Sequence, residues 1–396
     1  MITKNTSEIK NIVFIGGSSG SKGACVNWLA DPIEGYRFIV IEERTHFNHV
    51  FAFPRASVIS GFERELFIPY DNLFKGDDNV GKVVNARATA IHKNHVELDR
   101  EVPEFGTTID YKYLVYTAGT KIPAPGRLPI TTKKEGIAML KKYQELIKES
   151  ERPIIIGAGA VGLELAGEIK EHYPEKEVTL IHSRSRYMPR YKVSMDVFTH
   201  NILKKRGVKQ ILGERVNLPE GGFPLEVKPI EVHTKKGRII HGDLAITCIG
   251  MTPNSGLLQE FAPDCINKEN GFVKVKPTMQ IDDDNVTNIF AAGDVTDHSD
   301  VKTGHFAWMQ GLACLTNIRK LIDGASQEEL VPYKSRGVPV IKLYLGKDDA
   351  VLQTDQFGPL LVLGTWLAGR NISPNLFATF SWNILNKPYD EADLDE

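Results

Sequence analysis

At 396 residues the chain has room for two or three domains with cores of their own, and 42% hydrophobic with 25% charged residues is the make-up of a soluble globular protein. A formal net charge of -2 argues against a nucleic-acid-binding surface, so no nucleic acid is expected as a partner. Four scattered cysteines, Cys25, Cys248, Cys265 and Cys314, with no C-x-x-C among them, exclude zinc ribbons and a C-x-x-C redox disulfide, and suit a reducing compartment.

The first ten residues, M-I-T-K-N-T-S-E-I-K, lack the apolar core of a signal peptide, and Ile2 stands where N-myristoylation needs glycine. No window approaches the roughly eighteen apolar residues of a spanning helix, so the expected location is cytoplasmic. Asn11 to Ile15 is a buried-strand run leading into Gly16-Gly17-Ser18-Ser19-Gly20-Ser21-Lys22. A helix carrying Val26, Leu29 and Ala30 follows, and then a strand, Phe38 to Ile41, ending in Glu42. An acid at that point, about twenty residues past a glycine turn, is placed to bind adenosine ribose hydroxyls, and Glu42 is preferred to Glu43. The turn is imperfect. Read without gaps it is Gly16-x-Ser18-x-x-Ser21, which predicts a weaker or shifted nucleotide site.

His46 and His49 have no further histidine or cysteine close by, so loop histidines are expected rather than metal ligands. Arg55, after Pro54, faces either a bound anion or local backbone carbonyls. Val83 to Ile91 (with Ala88 inside it), His95 to Leu98 and Tyr111 to Tyr116 have the pattern of strands. The last leads into Thr117-Ala118-Gly119, a small-residue turn where backbone can lie against a cofactor, and Pro123, Pro125 and Gly126 mark a crossing between domains.

Pro153 to Glu168 carries the strongest signal. Ile154, Ile155 and Ile156 form a strand, Gly157, Gly159 and Gly162 an uninterrupted G-x-G-x-x-G, and Leu163, Leu165 and Ala166 open a helix beside Glu164 and Glu168. Strand, glycine turn and helix in that order make a dinucleotide site, with the pyrophosphate on the helix N-terminus. Val178 to Ile181 is the next strand, and it ends not in an acid but in His182-Ser183-Arg184-Ser185-Arg186. Serines and arginines there suit a 2′-phosphate, hence NADPH before NADH, against the alternative of a solvated loop. Leu244 to Ile249 is another strand, ending in a turn at Gly250. Asn288 to Ala292 leads into Gly293-Asp294, with Lys302 beyond. From about Val331 come strands over Pro339 to Leu345 and Gly358 to Leu363, a helix over Leu376 to Leu385, and an acidic tail expected to be disordered. The apolar run Leu360 to Ala368, with Trp366, is too short to span a bilayer and has three readings: core first, then dimer interface, then interfacial foot.

Two dinucleotide units, a T-A-G turn, a C-I-G turn and A-A-G-D in this order resemble the two-dinucleotide-binding-domain flavoproteins. More narrowly, H-F-x-x-x-x-A-x-P-R-A, V-T-L-I-H-S-R and G-D-V-T-D-H-S-D-V-K are similar to the AIF-like family, in its AMID or ferroptosis-suppressor branch. The resemblance covers nearly the whole chain and implies an α/β fold of two Rossmann-like domains plus a C-terminal α+β domain. The FAD domain (1–124 and 271–328) is split around an inserted NAD(P)H domain (125–270), and 329–396 pack over the flavin. It implies FAD on Gly16, Gly17, Ser18, Glu42, Arg55, Ala88, Thr117, Ala118, Gly119, Gly293 and Asp294, with Asp294 on the ribityl chain. NAD(P)H falls to Gly157, Gly159, Gly162, His182, Arg184 and Gly250. Glu164 and Lys302 match residues beside the reacting rings, although a first-turn acid favoured by the helix dipole explains Glu164 equally well. Ser21 and Lys22 stand where relatives have glycine and an apolar residue. The implied activity is hydride transfer from NADPH or NADH to flavin, then two electrons to a quinone or another small acceptor. A reductase of a small redox protein and a non-catalytic nucleotide-binding or signalling protein are the alternatives. Peripheral membrane contact through the C-terminal domain and a homodimer stay open.

Overall fold

The computed structural model describes residues 9–335, 337–355, 359–369, 373, 375–387 and 389; the expectations for the first eight residues and for the acidic tail lie outside them. Strand β1 (Lys10–Ile15) is buried from Asn11 onward, α1 (Ser19–Ala30) follows, and β2 (Tyr36–Glu42) returns parallel to β1. Near-continuous burial is what a parallel sheet covered on both faces demands. The core side of α1 is Ala24, Cys25 and Trp28, whereas Val26 and Ala30 face solvent, a correction to the expected apolar face.

Next come β3 (His46–Asn48), the one-turn α2 (Phe53–Ala56), β4 (Phe67–Pro69), antiparallel to β3, and β5 (Gly81–Asn85), beside β2. The single strand expected from Val83 to Ile91 is two. Ala86 N–H bonds to the Val84 carbonyl, a tight turn that takes the chain out of the sheet. Beyond it β6 (Ala88–Ile91), β7 (His95–Val102) and β8 (Gly106–Asp110) form a separate antiparallel sheet, and β9 (Tyr113–Tyr116) re-enters beside β1.

After β10 (Thr120–Lys121) comes α3 (Lys133–Glu149), which starts in a capping box between Thr132 and Glu135. A second unit follows: β11 (Pro153–Ile156), α4 (Ala160–His172), β12 (Thr179–His182), α5 (Val193–Lys205), β13 (Lys209–Leu212), a hairpin of β14 (Ile230–His233) and β15 (Ile239–Gly242), then β16 (Leu244–Thr247). Its sheet is parallel, in the order β13-β12-β11-β16. Strand β17 (Thr252–Pro253) pairs antiparallel with β10, so the chain leaves and re-enters the first unit at one short ladder. Helix α6 (Gly256–Phe261) leads on to β18 (Ile289–Ala291) and α7 (Gly304–Ile322). The first sheet is then complete as β18-β9-β1-β2-β5, all parallel and built from both sides of the insertion.

The C-terminal part is an antiparallel sheet, β19 (Ile341–Tyr344), β20 (Ala350–Thr354) and β21 (Leu361–Leu363), with α8 (Thr365–Ala368) and α9 (Ala378–Ile384). The central strand β20 was not visible in the sequence pattern. Trp382 of α9 is fully buried and donates its indole N–H to the Glu65 carbonyl. His49 uses both ring nitrogens on this segment, Nε2 with the Leu376 carbonyl at 2.8 Å and Nδ1 with Ser381 Oγ at 3.0 Å. Burial pushes its pKa down to about 4, so the ring is neutral and structural. The run Leu360 to Ala368 is core only in part: Ala368 is buried and Val362 and Leu363 pack against the core, but the rest is not. Trp366 is 71% exposed, and Leu361 and Leu367 are exposed beside it.

Candidate active site

In the first unit β1 ends at Gly16, whose φ is +108° and whose missing Cβ would stand 2.5 Å from the Thr117 carbonyl oxygen. Only glycine fits there. Thr117 Oγ1 donates to the carbonyls of Ile15 and Gly16, locking the T-A-G turn onto the glycine turn. Glu42, at the end of β2, accepts the Gly17 N–H at 2.7 Å and the Arg44 N–H at 3.0 Å. Tyr70, which the sequence reading passed over, donates its hydroxyl to the Gly17 carbonyl. Helix α1 begins with no side-chain cap at Ser18, and neither does α7 have one at Thr303. The two N-termini meet, since a Cβ on Gly304 would lie 2.9 Å from Ser19 Oγ. Two uncapped helix starts together form a strong anion site.

A cation completes it. Arg127 donates to Asp294 at 3.1 Å and lies within electrostatic reach of Glu42 and Arg44. Burial pulls its pKa down and Asp294 opposes that shift. Its guanidinium therefore stands between the acid of β2 and the acid after β18, beside Gly119. No sequence signal marked it. An adenosine acid, converging helix starts with an arginine, and a second acid in line are the donor set that an FAD diphosphate with its two sugar chains requires, so these residues fit the group.

Ser21 and Lys22 are both accommodated within the protein. Ser21 is buried and donates its hydroxyl to the Ser18 carbonyl within the turn. The Lys22 ammonium lies over the Phe47 ring at 4.1 Å and near Trp308, and burial lowers its pKa to about 8. Ala88 has its methyl in the apolar core behind β6, so only backbone is offered to a ligand there. Lys302 is held by the carbonyls of Thr296 and His298, in the same loop as Asp294.

The second unit repeats the first turn for turn. Gly157 has φ +105°, and a Cβ on Gly162 would stand 1.9 Å from the Gly157 carbonyl oxygen. A Cβ on Gly159 would meet nothing within 4 Å, which leaves the space a pyrophosphate needs. The Ala158 N–H goes to His182 Nδ1 at 3.2 Å, as Gly17 goes to Glu42. Accepting there puts the ring proton on Nε2. Burial, reinforced by the Arg184 charge, lowers the His182 pKa. Arg184 is exposed at the same strand end, whereas Arg186 is tied to the Pro189 carbonyl. Gly250 has φ +95°, and beyond it Asn254 bonds through its backbone and side-chain N–H groups to the carbonyls of Gly119 and Ala118.

Arg55, which the family resemblance puts on FAD, is bonded to protein groups from other parts of the chain. It is 5% exposed, and its Nε donates to Glu168 of α4 at 2.8 Å and its Nη2 to the Gly346 carbonyl at 3.0 Å. The guanidinium thus joins both dinucleotide units and the C-terminal sheet. Glu164 lies one turn earlier on α4 and accepts the Tyr344 N–H at 3.2 Å. It is in the second turn of the helix, not the first, so the helix dipole does not account for it. Burial pushes its pKa up to about 8, with Glu168 adding to the shift, and its carboxyl is neutral at pH 7.

Two parallel sheets, each with a glycine turn beneath a helix start and joined by one short ladder, define a two-nucleotide-binding protein. The profile described as pyridine nucleotide-disulphide oxidoreductase matches residues 10–311. The chain is 34% identical to Fe-regulated protein 8 of Mycosarcoma maydis, over 89% of this chain and 91% of that one. It is 28% identical to human ferroptosis suppressor protein 1, over 95% and 96%. Its fold is similar to that of the Aquifex aeolicus sulfide:quinone oxidoreductase, with a TM-score of 0.71, 20% identity, and 96% and 92% coverage. The chain belongs to the pyridine nucleotide-disulphide oxidoreductase family. It is a flavin oxidoreductase that uses FAD and NADPH or NADH. Its four cysteines are free thiols, so the flavin has no disulfide of this chain to reduce.

Proposed function

We propose that the enzyme moves two electrons from NADPH, in preference to NADH, through FAD to a quinone at a cytoplasmic membrane surface. The observation that carries the reading is the duplicated glycine turn with different partners: a carboxylate, Glu42, in the first unit, and a neutral histidine beside an exposed arginine, His182 and Arg184, in the second. The first partner favours ribose hydroxyls and the second a 2′-phosphate. The similarity to a sulfide:quinone oxidoreductase supports a quinone as acceptor. We assign 1–124 and 271–328 to the flavin unit, 125–270 to the nicotinamide unit and 329–396 to the C-terminal unit.

FAD, when bound, supplies the two-electron store between nicotinamide and acceptor. The chain's own residues do the rest. The starts of α1 and α7, with Arg127, would hold the diphosphate, and Glu42 and Asp294 would take the sugar hydroxyls. Lys302 fixes the Asp294 loop, and the T-A-G turn, tied to Asn254, excludes water between the two nucleotides. Glu164 keeps a proton at pH 7 where α4 meets β19 and stores it for the quinol product.

Anaerobic spectra test this. The yellow protein should bleach faster with NADPH than with NADH and recover its colour with a soluble quinone. Arg184→Ala should raise KM for NADPH about ten- to a hundredfold, the worth of charge-assisted hydrogen bonds, and leave NADH nearly unaffected. Equal loss for both nucleotides would remove the 2′-phosphate assignment. Glu164→Gln should keep its FAD and bleach normally, yet return its electrons to quinone on the order of a hundredfold more slowly. Reoxidation at the parent rate would leave Glu164 a structural acid. Nucleotide binding with no bleaching at all would favour the sensor reading over the enzyme.

Membrane contact rests on the exposed apolar surface of the C-terminal unit. Trp366, Leu367 and Leu361 adjoin Val193, Val197 and Phe198 of α5 through the close approach of Gly364 to Phe198. Among the described residues no helix is long and apolar enough to cross a bilayer, so the contact is peripheral. The protein should float with phospholipid vesicles and lose most of that binding in Trp366→Ser with Leu367→Ser. Absence from the vesicle fraction, with a dimer in solution that the same substitutions dissociate, would assign the patch to self-association instead.

A further inference from the structure

Apart from the two parallel sheets, the separate β6-β7-β8 sheet of the flavin unit presents an unusual face. The β6-β7 hairpin turns through only Lys93 and Asn94, and the His92 N–H bonds to the His95 carbonyl at 2.9 Å, so His92 and His95 stand directly across from one another. Their rings stack with centroids 4.4 Å apart and planes 13° from parallel. Glu97 lies two residues further along β7 and so projects from the same face, where it meets His92 Nε2 at 2.9 Å. Asp110 of β8 is paired in register with His95, which puts a second carboxylate at the edge of the group. We propose that this face binds a divalent transition-metal ion, ligated by His92, His95 and Glu97.

Spacing, rigidity and donor chemistry agree. One ligand atom from each of His92, His95 and Glu97 lies within 4.8 Å of the others. Around a tetrahedral ion with bonds of about 2.0–2.1 Å, donors stand roughly 3.3 Å apart, so closing the site takes about an ångström of approach and a rotation of the two half-buried, stacked rings that lets their in-plane lone pairs converge. The backbone beneath need not move. The opposite face of the same strands carries Ile91, Val96, Leu98 and Ile109, all buried, which pins the sheet to the core. On binding, the ion takes the place of the direct His92–Glu97 hydrogen bond. Two imidazoles with a carboxylate select borderline ions such as zinc, copper or nickel, and leave magnesium and calcium, which prefer all-oxygen sites, without a match. None of these residues takes part in nucleotide binding, so the site is independent of the redox chemistry.

The test uses the untagged, FAD-loaded enzyme. Calorimetric titration with zinc should show one site per chain with a Kd of about 1–10 μM, a binding free energy near 7–8 kcal/mol. The copper form should give an electron paramagnetic resonance spectrum with nitrogen splitting from two imidazoles. His92→Asn and His95→Asn should each weaken zinc binding at least about tenfold, a ligand loss being worth no less than an outer-shell one. Flavin spectrum and NADPH turnover should stay as in the parent. Zinc binding that survives the double substitution, copper with no imidazole nitrogen, or no binding below about 100 μM zinc would each overturn the proposal.

Discussion

Exchanging Arg55 for leucine is expected to cost about 3–5 kcal/mol of stability, the usual penalty for leaving one member of a buried ion pair alone. Glu168 is 2% exposed, and burial already raises its pKa against the pull of Arg55. Without the guanidinium it must bury a bare charge or take up a proton, and the Gly346 carbonyl loses its donor too. The loss should fall on how the parts are joined rather than on either sheet. Urea unfolding followed by tryptophan fluorescence should shift to lower denaturant, and the double variant Arg55→Leu with Glu168→Leu should recover much of the difference, because no charge is left buried. A single variant within about 1 kcal/mol of the parent would mean that water reaches Glu168 and the pair contributes little.

The second large effect separates folding from binding within one glycine turn. Gly162→Ala places a Cβ 1.9 Å from the Gly157 carbonyl oxygen, backbone against backbone, where no side chain can yield. Overpacking of this kind typically costs about 1–3 kcal/mol, and the strain falls on the turn that receives the pyrophosphate. NADPH affinity should drop by two orders of magnitude or more, while FAD, held by the other sheet, stays bound and yellow. Gly159→Ala should behave differently. Its φ is -77° and its Cβ would meet no atom within 4 Å, so stability should match the parent while NADPH binding falls. Equal thermal loss in the two variants would contradict this division.

Much of this architecture is local and was therefore legible. Ile154 to Ile156 with Gly157, Gly159 and Gly162 announce a strand, a turn and a helix within sixteen residues, and the structure places β11 and α4 there. Glu42 and His182 were legible because each closes the strand that follows its glycine turn. The ion pair of Arg55 was not legible because its partner is Glu168, 113 residues away, and no periodicity reports such a pair. Arg127 escaped notice for the same reason, since Asp294 lies 167 residues on. The surroundings of Lys22 were not legible because composition shows a charge in place of an apolar residue, and does not show an aromatic ring beneath it. Trp366 was misjudged because an apolar run looks the same in sequence whether it faces a core or solvent.

The split first sheet also has a consequence for synthesis. Every strand of the parallel nicotinamide-unit sheet lies between Pro153 and Thr247, so that sheet can close while the ribosome is still working. The flavin unit cannot, because Asp294, β18 and the start of α7 come after the insertion. Stalled chains ending near residue 280 should therefore bind NADPH but quench no FAD fluorescence, and chains extended past the end of α7 should do both. FAD bound by the shorter chain would show that the early strands suffice. Holoenzyme yield in the cell is then set by flavin supply at the end of translation, on a scaffold whose other nucleotide site is already formed.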